Sequence, residues 1–294
     1  MNKYLISLTV CIFFVSSCAS VEVTTNNVEN EKESPLEVDE NQKFLDFLEA
    51  DWEKTLSNNP LFATYTGDKR FNDKINPNTI DQFEKDRLSD MESLKKLNSI
   101  DSDKLNPDNK LNYNLKKFDI ESDLNLSQFP IYYLRLNQRG GIQSFYETGN
   151  RLVYQSKKDY YDWLNRLNQF SENILNFLEI NKQGLQNGYT QPKLVTQGVI
   201  SQIDAIINSD INSNPYLKVF IDADETLLSQ NEKLELINDA KELIINKINP
   251  AYIKLNNFLK NDYLVNSRDT IGIKDIPDGK KYYEQLAKHY TTTD

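Results

Sequence analysis

Histidine and cysteine are almost missing from this chain of 294 residues, which has one His and two Cys. The cysteines are Cys11 and Cys18, so no thiol remains after residue 18. That excludes a cysteine nucleophile, a Cys-ligated zinc and a disulfide from the body of the protein. A catalytic zinc usually takes two or three imidazoles, or imidazole with carboxylate, and His289 alone cannot supply that set. A Ser-His-Asp triad would also have to use His289, close to a chain end. Glycine and proline are scarce too, at 9 each, which argues against a β-sandwich or a Gly-rich nucleotide fold. There is no G-x-x-x-x-G-K-[ST], no G-x-G-x-x-G and no G-x-S-x-G. Positive charge is in deficit, with 34 Lys and Arg against 44 Asp and Glu and a net charge of -10. Such a surface repels nucleic acid, and no basic patch with interleaved aromatics is present, so no nucleic-acid partner is expected.

One apolar run stands out, "YLISLTVCIFFV" after Met1-Asn2-Lys3. At about 12 residues it suits a secretory signal and is too short to span a bilayer. It closes on "VSSC", which resembles a bacterial lipobox. That resemblance implies a lipoprotein signal over 1–17, cleavage before Cys18, and lipid on Cys18 as the membrane anchor. Ala19, in place of Asp, implies sorting to the outer membrane, facing the periplasm. Residues 18–40 lack aromatics and are rich in Asn, Thr and Glu, the composition of a disordered tether. A flexible chain of that length reaches about 25 Å.

From residue 41 to 294 the pattern is helical. Phe44, Phe47, Leu48 and Trp52 fall one turn apart. Pro60 suits a helix start and Gly67 a stop. Ile80, Phe83, Leu88, Met91, Leu94 and Leu97 repeat helically, followed by Leu111, Leu115 and Phe118. Alternation in "IYYLRL" is consistent with a short strand or hairpin near 131–143, and Gly140-Gly141 marks a turn or a close backbone approach. A long helix follows, with Tyr160, Leu164, Leu167, Ile174 and Leu178 on one stripe and Gly188 as its terminator. Thr190 is placed to cap the next helix, which carries Leu194, Val199, Ile203, Ile206 and Ile207. The last long helix contains Pro250, which should kink it. The expected fold is all-α.

Few residues carry chemistry. Asp222, Asp224 and Glu225 in "IDADETLLS" lack the glycine of a calcium loop and read as an acidic helix start. Of the adjacent tyrosines, one ring of each pair is expected to pack and the other to stay half exposed, with a ligand channel as the competing reading at Tyr282-Tyr283. His289 reads as a surface or capping residue.

Several stretches together resemble the bacterial domain-of-unknown-function 885 family: "PLFATYTGDKRFND", "DYYDWLNRLNQF", "GLQNGYTQPKLV", "NPAYIKLNNFL" and "IPDGKKYYEQLAKHYTTTD". The resemblance implies a helical zinc peptidase-like fold, with a His-Glu-x-x-x-x-His metal motif in the second half of a chain about twice this long. No His-Glu dipeptide occurs here, so no zinc ligand or catalytic residue carries over. Zinc is expected only with the missing half. What carries over is the leading half of the fold and a substrate channel approached by Tyr282, Tyr283 and His289. The resemblance thus implies the amino-terminal portion of a metallopeptidase-like hydrolase, inactive alone, with a peptide substrate and either a second chain or a carboxy-terminal half as partner. It also implies exposed apolar surface where that half would pack. The alternative is a non-catalytic helical envelope binding module.

Overall fold

The structure is a computed structural model that describes residues 39–292. They lie within one compact unit, Val38–Asp294. The signal, Cys18 and nearly all of the tether lie outside the described residues. No described helix is long and apolar enough to cross a membrane.

The described residues contain helices and turns and no strand. Helix α1 spans Glu40–Asn58, and Asp39 caps it by accepting from the Asn41 N–H. Helix α2, Pro60–Tyr65, starts at its proline and ends before Gly67 at φ +92°. Helices α3 (Ile80–Leu97) and α4 (Pro107–Leu126) form an antiparallel pair, with Thr79 and Asn106 as N-caps. These three longer helices close a small core from Phe44, Leu97, Ile100, Leu105, Tyr113 and Ile120.

The α4 face differs from the sequence expectation. Leu111, Leu115 and Phe118 are exposed, and Tyr113 and Ile120 are buried. At about 100° per residue the two sets lie roughly half a turn apart. Helix α4 is apolar on both sides, and its periodicity does not say which side meets α1. Leu88 and Met91 of α3 and Trp52 of α1 are exposed as well.

Residues 127–144 are irregular. The expected strand is instead a 3₁₀ turn over Ile131–Leu134, and a second such turn covers Ile142–Ser144. Tyr133 and Leu134 are buried neighbours, whereas a strand would send them to opposite faces. Helix α5, Phe145–Arg151, leads into the 30-residue helix α6, Lys157–Gln186. Ser156 and Asp159 form a capping box at its start. Its end has the bonding of a Schellman motif: Tyr189 N–H to Gly184 O at 2.8 Å and Gly188 N–H to Leu185 O at 3.2 Å. Gly188 sits at φ +78°, which a glycine adopts without strain.

Helix α7, Lys193–Ile207, begins after Pro192; Thr190 does not cap it and uses its carbonyl to accept from Arg268 Nε. A short helix α8, Lys218–Ile221, precedes a rod made of α9 (Gln230–Leu243), α10 (Asn249–Phe258) and α11 (Leu264–Asn266). Wide π turns, Ile244–Ile248 and Leu259–Tyr263, join its three parts. The first lies directly before Pro250 and continues the helix past a residue that has no N–H to donate. The main core packs α6 against α7 and this rod, with Trp163, Leu167, Phe170, Ile174, Tyr252 and Leu255 at its centre. Helix α12, Gly279–Thr291, returns to pack on α4.

Candidate functional site

The irregular segment 127–144 lies where the small α1–α3–α4 core, the α6 core and α12 meet, and several cavities open around it. The largest described one, about 710 Å³, is lined by Asn78, Arg135, Asn137, Gly140, Gly141 and Gln191, with Leu136, Phe145 and Phe177 among its apolar walls. A second of about 480 Å³ lies between α3, α4 and α12 and includes Phe83, Asp90, Asp123, Tyr132 and Tyr282. A third of about 370 Å³ shares Asn78 with the first, Phe83 with the second, and Arg135 with both. Arg135 is therefore a common wall of all three spaces.

Arg135 is held by two contacts. Its guanidinium lies 5.2 Å from the Phe83 ring centroid and donates to Asn78 Oδ1 at 2.7 Å. Among the described residues it makes no ion pair with a carboxylate. The crowded cavity wall lowers its pKa, and it remains charged. The rest of its donor fork is open to a ligand carboxylate or carbonyl.

In the Gly-Gly loop beside it, Gly141 is required, while Gly140 has open space where a Cβ would go. A Cβ on Gly141 would fall 2.4 Å from Asn137 O and 2.5 Å from Gln143 Oε1. Gln143 is buried and donates to Asn137 O at 2.8 Å and Gln202 Oε1 at 2.7 Å, which pins the loop to α7. On the far side, Gln191 donates to Leu134 O, and its backbone N–H donates to Tyr263 Oη at 2.9 Å. Burial pushes that phenol up to about 12, so it stays protonated at any physiological pH. The groove thus offers carboxamides, backbone and one guanidinium, with buried Leu134 and Tyr263 holding Gln191 and half-buried Asn78 and Phe83 holding Arg135.

The structure separates the residues expected to approach a channel. Tyr282 lines the second cavity and meets Phe129 edge-on at 5.6 Å. Tyr283, next along the helix, points to solvent. His289, two turns beyond Tyr282 on the same face, shares a 2.8 Å hydrogen bond between its Nδ1 and Ser122 Oγ of α4. It borders the cleft near Asp123 and does not line it.

Asp222, Asp224 and Glu225 lie in a loop before α9, not at a helix start, and each is engaged separately. Asp222 pairs with Lys218, Asp224 accepts from Thr226, and Glu225 pairs with Lys233. Among the described residues no three of His, Cys, Asp or Glu gather as a metal site. With one imidazole, bonded to a serine, the described donor set does not fit zinc.

No curated protein matches this sequence. A candidate lipoprotein from Colwellia psychrerythraea has a similar solved structure, with a TM-score of 0.72 at 17% sequence identity. The match covers 85% of this chain and 46% of that one, so this chain spans about half the length of that relative. Residues 60–294 match the family model described as "Bacterial protein of unknown function (DUF885)". Covering most of the sequence, that match places the chain in the DUF885 family.

Proposed function

We propose that this chain is a lipid-anchored protein of the cell envelope whose described residues form the peptide-binding part of a zinc-peptidase-like hydrolase. The observation that carries the reading is the groove of about 710 Å³ with Arg135 on its wall, free of any carboxylate among the described residues. A peptide presents backbone amides and a carboxylate. The groove answers with carboxamides, the backbone of Gly140 and Gly141, and a guanidinium. Asn78 and Phe83 orient that guanidinium, and the Gln143 bonds hold the loop.

Hydrolysis is assigned to residues outside those described here, which would hold the metal and activate water. The length of the Colwellia relative, of which 46% is covered, is consistent with such a further part. The lipobox-like "VSSC" supports anchoring through lipid on Cys18, and Ala19 supports the outer membrane, facing the periplasm. The description of the relative as a candidate lipoprotein points the same way.

The test is to purify the protein from its native envelope and assay hydrolysis of a mixed peptide library with and without chelator. The proposal predicts hydrolysis that chelation removes and zinc restores, in a preparation containing a His-Glu metal motif. Peptide binding with no hydrolysis in any fraction favours the non-catalytic binding module instead. Hydrolysis that survives chelation contradicts the metallopeptidase reading.

A further inference from the structure

The second cavity, about 480 Å³ between α3, α4 and α12, differs in character from the main groove. Its walls are aromatic. Phe83 and Tyr132 stack at 5.1 Å with 8° between their planes, and Phe129 meets Tyr282 edge-on. Its charged groups are mostly acidic. Glu84 is committed to Arg87 through two hydrogen bonds, at 2.6 and 2.9 Å, and Asp86 accepts from Gln82 at 2.8 Å. Asp90 and Asp123 remain, with no ion pair or side-chain hydrogen bond among the described residues. Phe83, Asp86 and Asp90 follow one another at helical spacing, so α3 turns rings and carboxylates to the same side.

We propose that this cleft takes the cationic side chain of a lysine or arginine in a bound peptide, between the aromatic rings and the carboxylates of Asp90 and Asp123. The inference rests on the reading of the adjoining groove as a peptide site. Charge complementarity selects the occupant. An apolar side chain would leave two carboxylates facing it, and an acidic one would be repelled. A cation gains from the carboxylates and from the Phe129 and Tyr282 rings, Phe83 being already engaged by Arg135 and Tyr132.

The electrostatics of the two acids agree. Burial raises the pKa of Asp90; Lys54 opposes that, and the charges of Asp123, Asp86 and Asp51 add to it. Burial raises Asp123 as well, with His289 and Lys116 opposing and Asp119 adding. Lys54 bonds Ser89 O and Ser93 Oγ and forms no ion pair with Asp90 among the described residues; its charge offsets that of Asp90 in part. A bound cation would relieve the repulsion between the carboxylates. Arg135 separates this cleft from the main groove, so one peptide can lay its carboxylate on Arg135 and a nearby side chain in the cleft.

The test is calorimetric titration of the whole chain with three N-acetylated tetrapeptides carrying a free carboxylate. They differ at one position: lysine, norleucine or glutamate. The lysine peptide is expected to bind about ten-fold tighter than the norleucine one, with the glutamate peptide weakest. Asp90→Asn and Asp123→Asn should each reduce that preference, and Asp239→Asn, a distant exposed carboxylate, should leave it unchanged. Equal binding of lysine and norleucine peptides overturns the cleft assignment and leaves the groove reading standing. So does a preference that survives both cleft substitutions in variants with unaltered thermal melts. Failure of all three peptides to bind overturns the groove reading and this inference together.

Discussion

At the residue scale, the most consequential side chain outside the groove is Arg166. It is almost fully buried on α6 and pairs with no carboxylate among the described residues. Its guanidinium donates to the carbonyls of Lys74, Pro60 and Phe71 and to Thr64 Oγ1, and so fastens the α2 region to α6. Burial lowers its pKa, and the carbonyl cage keeps the charge bearable. Lysine cannot reproduce this fork, so Arg166→Lys should cost about 3 kcal/mol in denaturant unfolding. Gly149 makes a second sharp test. A Cβ there would fall 2.4 Å from the buried Trp163 ring, which has no room to retreat. Gly149→Ala should therefore destabilise by about 1–3 kcal/mol, although alanine is the better helix former. Sequence alone hides both effects, because each depends on a neighbour far along the chain.

Asp159 carries a pH prediction. Burial pushes its pKa up, but the Gln155 N–H, Lys69 and Ser156 outweigh that and hold it below the usual carboxylate range. A depressed folded pKa means stability that is present above the unfolded value of about 3.9 and lost as pH falls through the folded one. The wild-type melt should therefore fall more steeply on acidification through that window than the melt of Asp159→Asn. The variant should already be weaker at neutral pH by about 1 kcal/mol, the usual worth of a cap. Parallel melting curves for the two proteins across the acid range would contradict this role.

At the scale of elements, helix positions were legible in the sequence, and helix faces were only partly so. Pro60, Gly67 and Gly188 mark ends where the structure has them, because the backbone chemistry that stops a helix is local. The stripe of α6 was legible because one face is strongly apolar: Tyr160, Leu167, Ile174 and Leu178 are all buried. Helix α4 was not, since Leu111, Leu115 and Phe118 oppose Tyr113 and Ile120, and only tertiary packing decides between them. The consequence is measurable. Leu115→Asn should change stability by no more than about 0.5 kcal/mol, while Ile120→Ala should cost about 2–4 kcal/mol. "IYYLRL" misled for a related reason. Its alternation fits a strand, but Tyr133 and Leu134 pack side by side in a turn that closes against Ile180 and Tyr189.

At the scale of the whole molecule, the site was less legible than the fold. Tyr282, singled out as one of an adjacent tyrosine pair and through the family resemblance, lines the second cavity, while Tyr283 faces water because it sits about 100° further around α12. Arg135, Asn78 and Gln191 gave no signal, since residues far apart in sequence converge only when the segment around Gly140 and Gly141 folds between the cores. The available hint was an arginine close to a glycine pair in a chain where positive charge is in deficit. The central claim is that this convergence binds peptide through Arg135. The most direct measurement is the affinity of an N-acetylated tetrapeptide with a free carboxylate for the whole chain and for Arg135→Ala. The account predicts saturable binding that weakens by about ten-fold in the variant, the worth of one charge-assisted contact. Equal affinity for the two proteins, or no binding to either, would contradict it.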